Sequence, residues 1–227
     1  MTVIGSQRRS RRRVRRSLDE LDNESRARLR RFISGARLAI VPTSDSIGVV
    51  ESRLAPGTVP LAVACVPGLG IDQTIAVAEV LAAKGYDVTP HLAARQITTP
   101  RHLNDILLRL RRRAVDRVLV VEGRDTSSGV FHHSARLLAV MSDHPNAPSA
   151  VGIAGHPEGH AGYDAAELTE SLLERSAFAS FVSTRLSLNP VRLLGWLAEM
   201  RVRGLSIPVE AGVPGTVRFD DLVSEDP

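Results

Sequence analysis

The residues of this chain that could do chemistry lie in five short polar or glycine-rich segments. Each follows a run of apolar, β-branched residues: PGLG at 67–70, HLAAR at 91–95, EGRDTSSG at 122–129, GHPEGH at 155–160 and STRLSLN at 183–189. Proteins built from parallel βα units bind their ligands at the loops that follow the carboxyl ends of the strands. These five segments therefore hold the candidate site residues.

The segment GHPEGH contains residue types that bind zinc, namely His156, Glu158 and His160. Two histidines four residues apart converge on one metal when they lie on a helix, whereas Pro157 and the flanking glycines favour a loop. The spacing also supplies no third ligand of the kind that a zinc site needs. We therefore predict that the chain binds no metal.

Two glycine-rich segments, PGLG and EGRDTSSG, could present backbone N–H groups to a phosphate at the start of a helix. Neither matches a P-loop or the dinucleotide-binding fingerprint. The sequence also shows no nucleophile elbow and no lysine near a predicted strand end, since Lys84 lies at a helix terminus. The motifs alone therefore assign neither phosphoryl transfer nor nucleophilic catalysis.

The elements that must position these segments alternate along the chain after Gly35. The predicted strands are RLAIV, LAVACV, DVTPHL, RVLVVE, AVGIAG, SFVSTR and IPVEAG, and the predicted helices cover residues 71–84, 100–113, 133–143, 164–176 and 190–203. This alternation is typical of repeated βα units. It predicts an α/β fold, a (β/α)8-type TIM barrel that is incomplete at its C-terminal end, because residues 207–227 leave no clear room for an eighth strand and helix.

A doubly wound open sheet is the alternative architecture. The segment TSDSIGVVESRLAPGT, after the first strand, is too short for a long crossover helix. An incomplete parallel barrel has an unpaired edge, and we expect the N-terminal helix or another subunit of a homo-oligomer to cover it.

The composition predicts one soluble domain with a charged tail. The 227 residues are 43% hydrophobic and 24% charged, which is enough for one substantial core. The longest apolar runs are far shorter than the ~20 residues that cross a bilayer. We also expect no secretory signal, because the N-terminal residues lack the apolar core that such a signal has. Cys65 is the single cysteine, and its setting in LAVACV predicts a buried thiol. We expect a cytoplasmic protein with no membrane span.

Positive charge is concentrated ahead of the predicted barrel. RRSRRRVRR places seven arginines between Arg8 and Arg16. Such a run repels itself, so we expect residues 1–16 to form a disordered arm, which is either a solvated tail or a contact for nucleic acid or acidic lipid. Ser17 and Glu20 then have capping-box spacing, which predicts a helix over residues 17–34 that docks on a barrel formed by residues 35–227.

Taken in order, the strand ends resemble those of the methylenetetrahydrofolate reductase family, flavin-dependent (β/α) barrels that reduce a folate one-carbon unit. The resemblance covers about residues 37–218. PHLAARQITTP is similar to the family's Pro-His-Leu-Thr strand end, and VLVVEGRD is similar to the strand that ends in Arg-Gly-Asp. GIAGHPEGH resembles the Tyr-Pro-Glu-x-His loop, and FASFVSTRLSLNPVRLLGW resembles the Gly-Ala-Asp strand that runs into Thr-Gln and then Asp. IPVEAGVPG resembles the Pro-Val/Ile-x-x-Gly-Ile-x-Pro segment.

The resemblance implies FAD as the cofactor, NAD(P)H as a candidate electron donor and a folate-like or other anionic small molecule as the substrate. It implies substrate binding by Arg185. Asp125 is the catalytic candidate, because Arg124 occupies the position of the family's aspartate after the glycine and Asp125 follows it. The implied cofactor-binding residues are His91, Gly123, Arg124, His133, His156 and His160.

Several positions that do the family's work are occupied by other residues here. Ala39 stands where the family's glutamate would protonate the folate nitrogen, and a methyl group cannot be a general acid. Arg185 replaces the glutamine that would hold folate. The remaining departures are Cys65-Val66 for a flavin-facing Thr-Tyr, His156 for the loop tyrosine, and Glu174, with Arg175 alongside, for a basic residue.

These departures leave two main hypotheses. The first is a divergent reductase-like oxidoreductase that binds flavin, folate or both in the barrel mouth. The second is a catalytically inactive barrel that binds an anionic ligand or partner through Arg124 and Arg185. A third, weaker interpretation is a nucleic-acid-associated module that binds through the arginine-rich arm.

Overall fold

The computed structural model of this protein describes residues 21–123 and 129–215. The chain divides into two compact units, residues 1–38 and 39–227. The predicted arm at residues 1–16 lies outside the described residues, and so do Arg124 and Asp125.

The first unit contains one described helix, α1 (Asn23–Ser34). The Asp22 side chain caps it by accepting a hydrogen bond from the Ser25 N–H at 2.7 Å. None of its residues is buried. The predicted capping box at Ser17 and Glu20 lies outside the described residues.

In the described part of the remaining chain, seven strands alternate with six α-helices. The strands are β1 (Leu38–Ile40), β2 (Leu61–Val63), β3 (Val88–Ala93), β4 (Arg117–Val121), β5 (Ala150–Gly155), β6 (Phe181–Leu186) and β7 (Val209–Gly212). The helices are α2 (Ser44–Arg53), α3 (Gly70–Ala83), α4 (Pro100–Arg112), α5 (Ser134–Ser142), α6 (Ala165–Ser176) and α7 (Pro190–Val202), with a 3₁₀ turn at Ala94–Gln96.

All seven predicted strands are present, and the five predicted helices match α3 to α7 within one residue at each end. The sequence analysis assigned no helix to the segment between the first two strands, yet α2 occupies it. Thr43 caps α2 by accepting a hydrogen bond from the Ser46 N–H at 3.3 Å. A helix of ten residues therefore fits where a long crossover helix does not.

The seven strands lie in sequential order across one sheet, and each pair from β2 to β7 is parallel. The Ala64 N–H donates a hydrogen bond to the Ile40 carbonyl at 3.0 Å, which joins β1 to β2. A doubly wound sheet reverses its strand order at a switch point, and this sheet has no such reversal. The fold is therefore α/β and consistent with an incomplete (β/α) barrel, and the doubly wound alternative is wrong.

A contact on the inner face of the sheet shows that the sheet is curled. Neighbouring strands lie about 4.8 Å apart, so β4 and β7 would be about 14 Å apart in a flat sheet. Arg117 on β4 nevertheless donates a hydrogen bond to Glu210 on β7 at 2.7 Å, and its guanidinium lies 3.5 Å from the centre of the Phe181 ring on β6. The inner face is therefore the concave face of the sheet.

Side chains alternate between the two faces of the sheet, as the period of a strand requires. One face packs against the helices in the main core, to which Val118 and Val120 of β4 and Leu103, Ile106 and Leu110 of α4 contribute. The other face is the inner face, on which Thr89, His91 and Leu119 lie. The residues that face the helices are thus distinct from those that line the barrel interior.

Candidate functional site

His91 lies on the inner face of β3, two residues before the end of the strand. It pairs in register with Leu119 of β4, and its ring makes no hydrogen bond among the described residues. Burial lowers the pKa of His91 from 6.5 to about 4. The imidazole is therefore neutral at physiological pH and can donate and accept one hydrogen bond each.

The end of β4 brings a glycine and a carboxylate to the mouth. Gly123 has φ +86°, which favours glycine, and a Cβ there would lie 3.1 Å from the Cβ of Ala93. Glu122 accepts hydrogen bonds on Oε1 from the Ser134 N–H at 3.0 Å and the Ser134 hydroxyl at 2.7 Å. Its Oε2 is buried and accepts no hydrogen bond from the described residues. Sequence reasoning did not single out Glu122.

The loop after β5 places two histidine rings against each other. The rings of His156 and His160 meet edge to face with centroids 5.4 Å apart, and the Tyr163 ring lies 5.3 Å from that of His160. Burial, the neighbouring His160 and the charges of Arg175 and Arg185 lower the pKa of His156 to about 4. His156 is therefore a neutral imidazole held in a positive electrostatic environment.

Arg175 was not selected as a site residue from the sequence, which put weight on its neighbour Glu174. The structure reverses their importance: Arg175 is 4% exposed, whereas Glu174 is exposed. The Arg175 guanidinium donates to the carbonyls of Ser171 at 3.0 Å and Ala154 at 3.5 Å. Its signal in the sequence is an arginine three residues after Leu172, on the buried face of α6.

Arg185 lies near the end of β6, where the register with β7 shifts. Its side chain is partly buried, and it makes no hydrogen bond or ion pair among the described residues. Its charge nevertheless acts on His156 across the neighbouring strand end. A partly buried guanidinium without a partner favours an anion at this position.

Glu158 connects the loops that carry these groups. Its Oε1 accepts hydrogen bonds from the Ser187 hydroxyl at 2.6 Å, the Leu188 N–H at 2.8 Å and the Asn189 N–H at 3.1 Å. The bond from Ser187 and the backbone bonds lower the pKa of Glu158, so its carboxylate stays charged at neutral pH. The loop after β5 is thereby tied to the loop after β6.

The structure thus brings together part of the predicted site. We use the name mouth cluster for His156, His160, Arg175 and Arg185, because the charges of the last three act on His156. His91 lies on the inner face of the same sheet, on β3. His133 occupies the exposed N-cap position of α5 and makes no side-chain cap bond.

Two further positions from the sequence analysis have clear environments. Ala39 is exposed on β1, on the face opposite to Ile40, which packs against the core. Cys65 is half-buried and packs against the core, and its thiol donates to Gln96 Oε1 at 3.1 Å.

Within residues 21–123 and 129–215, no group of three or more His, Cys, Asp or Glu side chains is arranged as metal ligands would be. In the same ranges, every helix is too short or too polar to cross a lipid bilayer.

Comparison with known proteins gives a weak similarity to an enzyme family. No protein-family model matches the chain. The chain is 25% identical over 97 residues to methylenetetrahydrofolate reductase 1 of Schizosaccharomyces pombe, a match that covers 41% of this chain and 16% of that protein. The chain therefore corresponds to a small part of that relative's length. The similarity suggests a relationship with methylenetetrahydrofolate reductases and hints at an oxidoreductase-like function.

Proposed function

We propose that this chain is a divergent methylenetetrahydrofolate reductase-like oxidoreductase that binds FAD, and a folate-like anion beside it, at the carboxyl ends of β3 to β6. The observation that carries the proposal is the partly buried Arg185, which has no partner among the described residues and acts on the neutral His156. An anionic ligand would supply the missing partner.

The residues at the mouth fit a flavin. The neutral rings of His91 and His156 can lie against an uncharged ring system without placing a cation there. Arg175 and Arg185 provide positive charge for phosphate or carboxylate groups. When bound, the flavin would supply hydride transfer, the chemistry that the protein's own side chains lack.

In this proposal the protein's own residues bind and orient the ligands, and they move protons. His91, Gly123, His156 and His160 hold the flavin, with Arg124 and the exposed His133 as further candidates. Arg185 holds the anionic substrate, and NAD(P)H is the proposed electron donor. Asp125 is the proposed proton donor or acceptor, because Ala39 has no proton to give at the position where the family has its acid.

The test is a flavin titration of the purified full chain. We expect FAD to bind with quenching of its fluorescence, and Arg185→Ala to weaken the binding of a folate by about ten-fold, as loss of a charge-assisted hydrogen bond predicts. Arg203→Ala is the control, since Arg203 pairs with Glu199 on the surface. A wild-type protein that takes up neither FAD nor methylenetetrahydrofolate would contradict the proposal.

The second candidate function is ligand binding without catalysis. The exposed methyl group of Ala39 on β1 favours it, because the position of the family's acid carries no titratable group. Thermal-shift measurements with folate polyglutamates and nucleotides should then show stabilisation that Arg185→Ala removes, while turnover with NAD(P)H stays at background. Turnover of methylenetetrahydrofolate by the wild type would decide for the first candidate.

A further inference from the structure

The loop after β5 requires a fixed point if its two histidines are to keep their positions. It contains Gly159 at φ +90° and Gly162, and glycine has more backbone freedom to lose on folding than any other residue. Within the loop, the Gly162 N–H donates to His160 Nδ1 at 3.1 Å. That bond orders the loop locally but does not connect it to the neighbouring strand end.

Glu158 supplies the connection between the two strand ends. Its Oε1 accepts three hydrogen bonds from Ser187, Leu188 and Asn189, at 2.6 to 3.1 Å. Hydrogen bonds to a charged acceptor are about twice as strong as neutral ones. All three donors belong to the segment that follows β6 and leads into α7, so one carboxylate oxygen fixes the whole turn.

The position of Glu158 in the sequence places it between the groups of the mouth cluster. His156 precedes it by two residues and His160 follows it by two. On the other side of the connection, Ser187 lies two residues after Arg185. The sheet register, which pairs Gly155 with Thr184, already places His156 beside Arg185. The hydrogen bonds of Glu158 hold the rest of the histidine loop, beyond His156, against the same strand end.

We propose that Glu158 is a positioning residue, which locks the histidine loop to the Arg185 strand end and so determines the affinity for an anionic ligand. This inference rests on the proposed function of the site. Glu158 acts through the loops and not by touching the ligand, since the described donors occupy its Oε1 and a carboxylate would repel an anion. The ligand class it serves is one that spans both loops, with an aromatic ring at His156 and an anionic group at Arg185.

The experiment compares three variants of the full chain with FAD and folate polyglutamate as separate probes. Glu158→Ala removes the acceptor, and we expect its dissociation constants to rise at least about ten-fold. Glu158→Gln keeps an oxygen that can accept the same bonds, and we expect it to stay within about three-fold of the wild type. Glu170→Ala is the control, because Glu170 is exposed on α6.

A chemical-denaturation curve for each variant separates affinity from folding. Rescue of binding by glutamine is the result that a purely electrostatic role would not give. The inference is overturned if Glu158→Ala binds both probes like the wild type, or if Glu158→Gln binds as weakly as Glu158→Ala. A wild-type protein that binds neither probe overturns the proposed function itself, and this inference with it.

Discussion

Single side chains on the inner face of the sheet show how tightly the barrel interior is packed. Gly152 of β5 lies directly beside Phe181 of β6, and a Cβ at Gly152 would lie 2.2 Å from the Phe181 Cζ. Arg117 stacks on the same ring at 3.5 Å and donates to Glu210. The missing side chain at Gly152 is therefore what allows Phe181 and Arg117 to occupy the interior together.

Gly152→Ala should lower the free energy of unfolding by about 1–3 kcal/mol, the usual cost of overpacking. The matched control is Gly195→Ala, since Gly195 lies within α7 with nothing within 4 Å of the added Cβ. Alanine has the higher helix propensity, so this control should gain about 0.5–1 kcal/mol. Urea denaturation of both variants measures the two effects. Equal stabilities for the two variants would contradict the packing argument.

Helix α6 links the histidine loop to the buried Arg175, and its start is held by a capping box. Asp164 accepts a hydrogen bond from the Glu167 N–H at 2.8 Å, and Glu167 accepts one from the Asp164 N–H at 2.9 Å. The helix then presents Thr169, Leu172 and Arg175 to the interior. Because the cap fixes the first residue of the helix, it also fixes the position of the Arg175 side chain further along the helix.

Asp164→Ala should destabilise the protein by about 1 kcal/mol, because the first helical N–H groups lose an acceptor. Glu170→Ala on the same helix is the control, since Glu170 is exposed and outside the cap. The measurement is the free energy of unfolding from urea titration. A loss in the control equal to that in Asp164→Ala would show that the effect is not one of capping.

Two histidines that are neutral in the folded protein, His91 and His156, make the stability of the whole protein depend on pH. The folded-state pKa of His91 and of His156 is about 4, below the ordinary 6.5. Between these values the unfolded chain binds more protons than the folded one, so stability rises with pH there. The stabilisation that comes from the two neutral histidines is fully present above pH 6.5 and is lost as the pH falls toward 4.

His91 should contribute on the order of 3 kcal/mol to this pH dependence, from about 1.4 kcal/mol for each pKa unit. Unfolding free energies measured between pH 7.5 and 4.5 should fall for the wild type and fall less steeply for His91→Gln. The exposed His132 provides the control, and His132→Gln should keep the wild-type slope. An unchanged slope in His91→Gln would rule out a buried neutral imidazole at position 91.

The edges of the sheet predict association of the protein with itself. Among the described residues, β1 pairs with β2 alone and β7 with β6 alone, which leaves both edge strands open. Helix α7 also exposes Val191, Leu194 and Val202, the last at 88%. We expect a homo-oligomer in sedimentation equilibrium and weaker association in Leu194→Glu. A monomer at every concentration would contradict this expectation.

The local pattern determined much of the architecture. Alternating β-branched runs and amphipathic stretches predicted all seven strands and five of the helices, because strand and helix periodicities depend on near neighbours in the chain. The short helix α2 was not predicted, because the segment between the first two strands is too short for a long crossover helix. The strand ends were also identified correctly as the source of His91, His156 and Arg185, because parallel strands must present their carboxyl ends on one side.

Only the tertiary structure decided which of those residues act together. Periodicity cannot show that Arg175 rather than Glu174 is buried beneath the strand ends, or that Glu158 joins two loops through three hydrogen bonds. These facts depend on contacts between residues about 20 to 30 positions apart, which form only when β5 and β6 pair. The sequence alone thus determined the elements and their order, whereas the burial and charge of the site came from long-range packing, because desolvation depends on every neighbouring element.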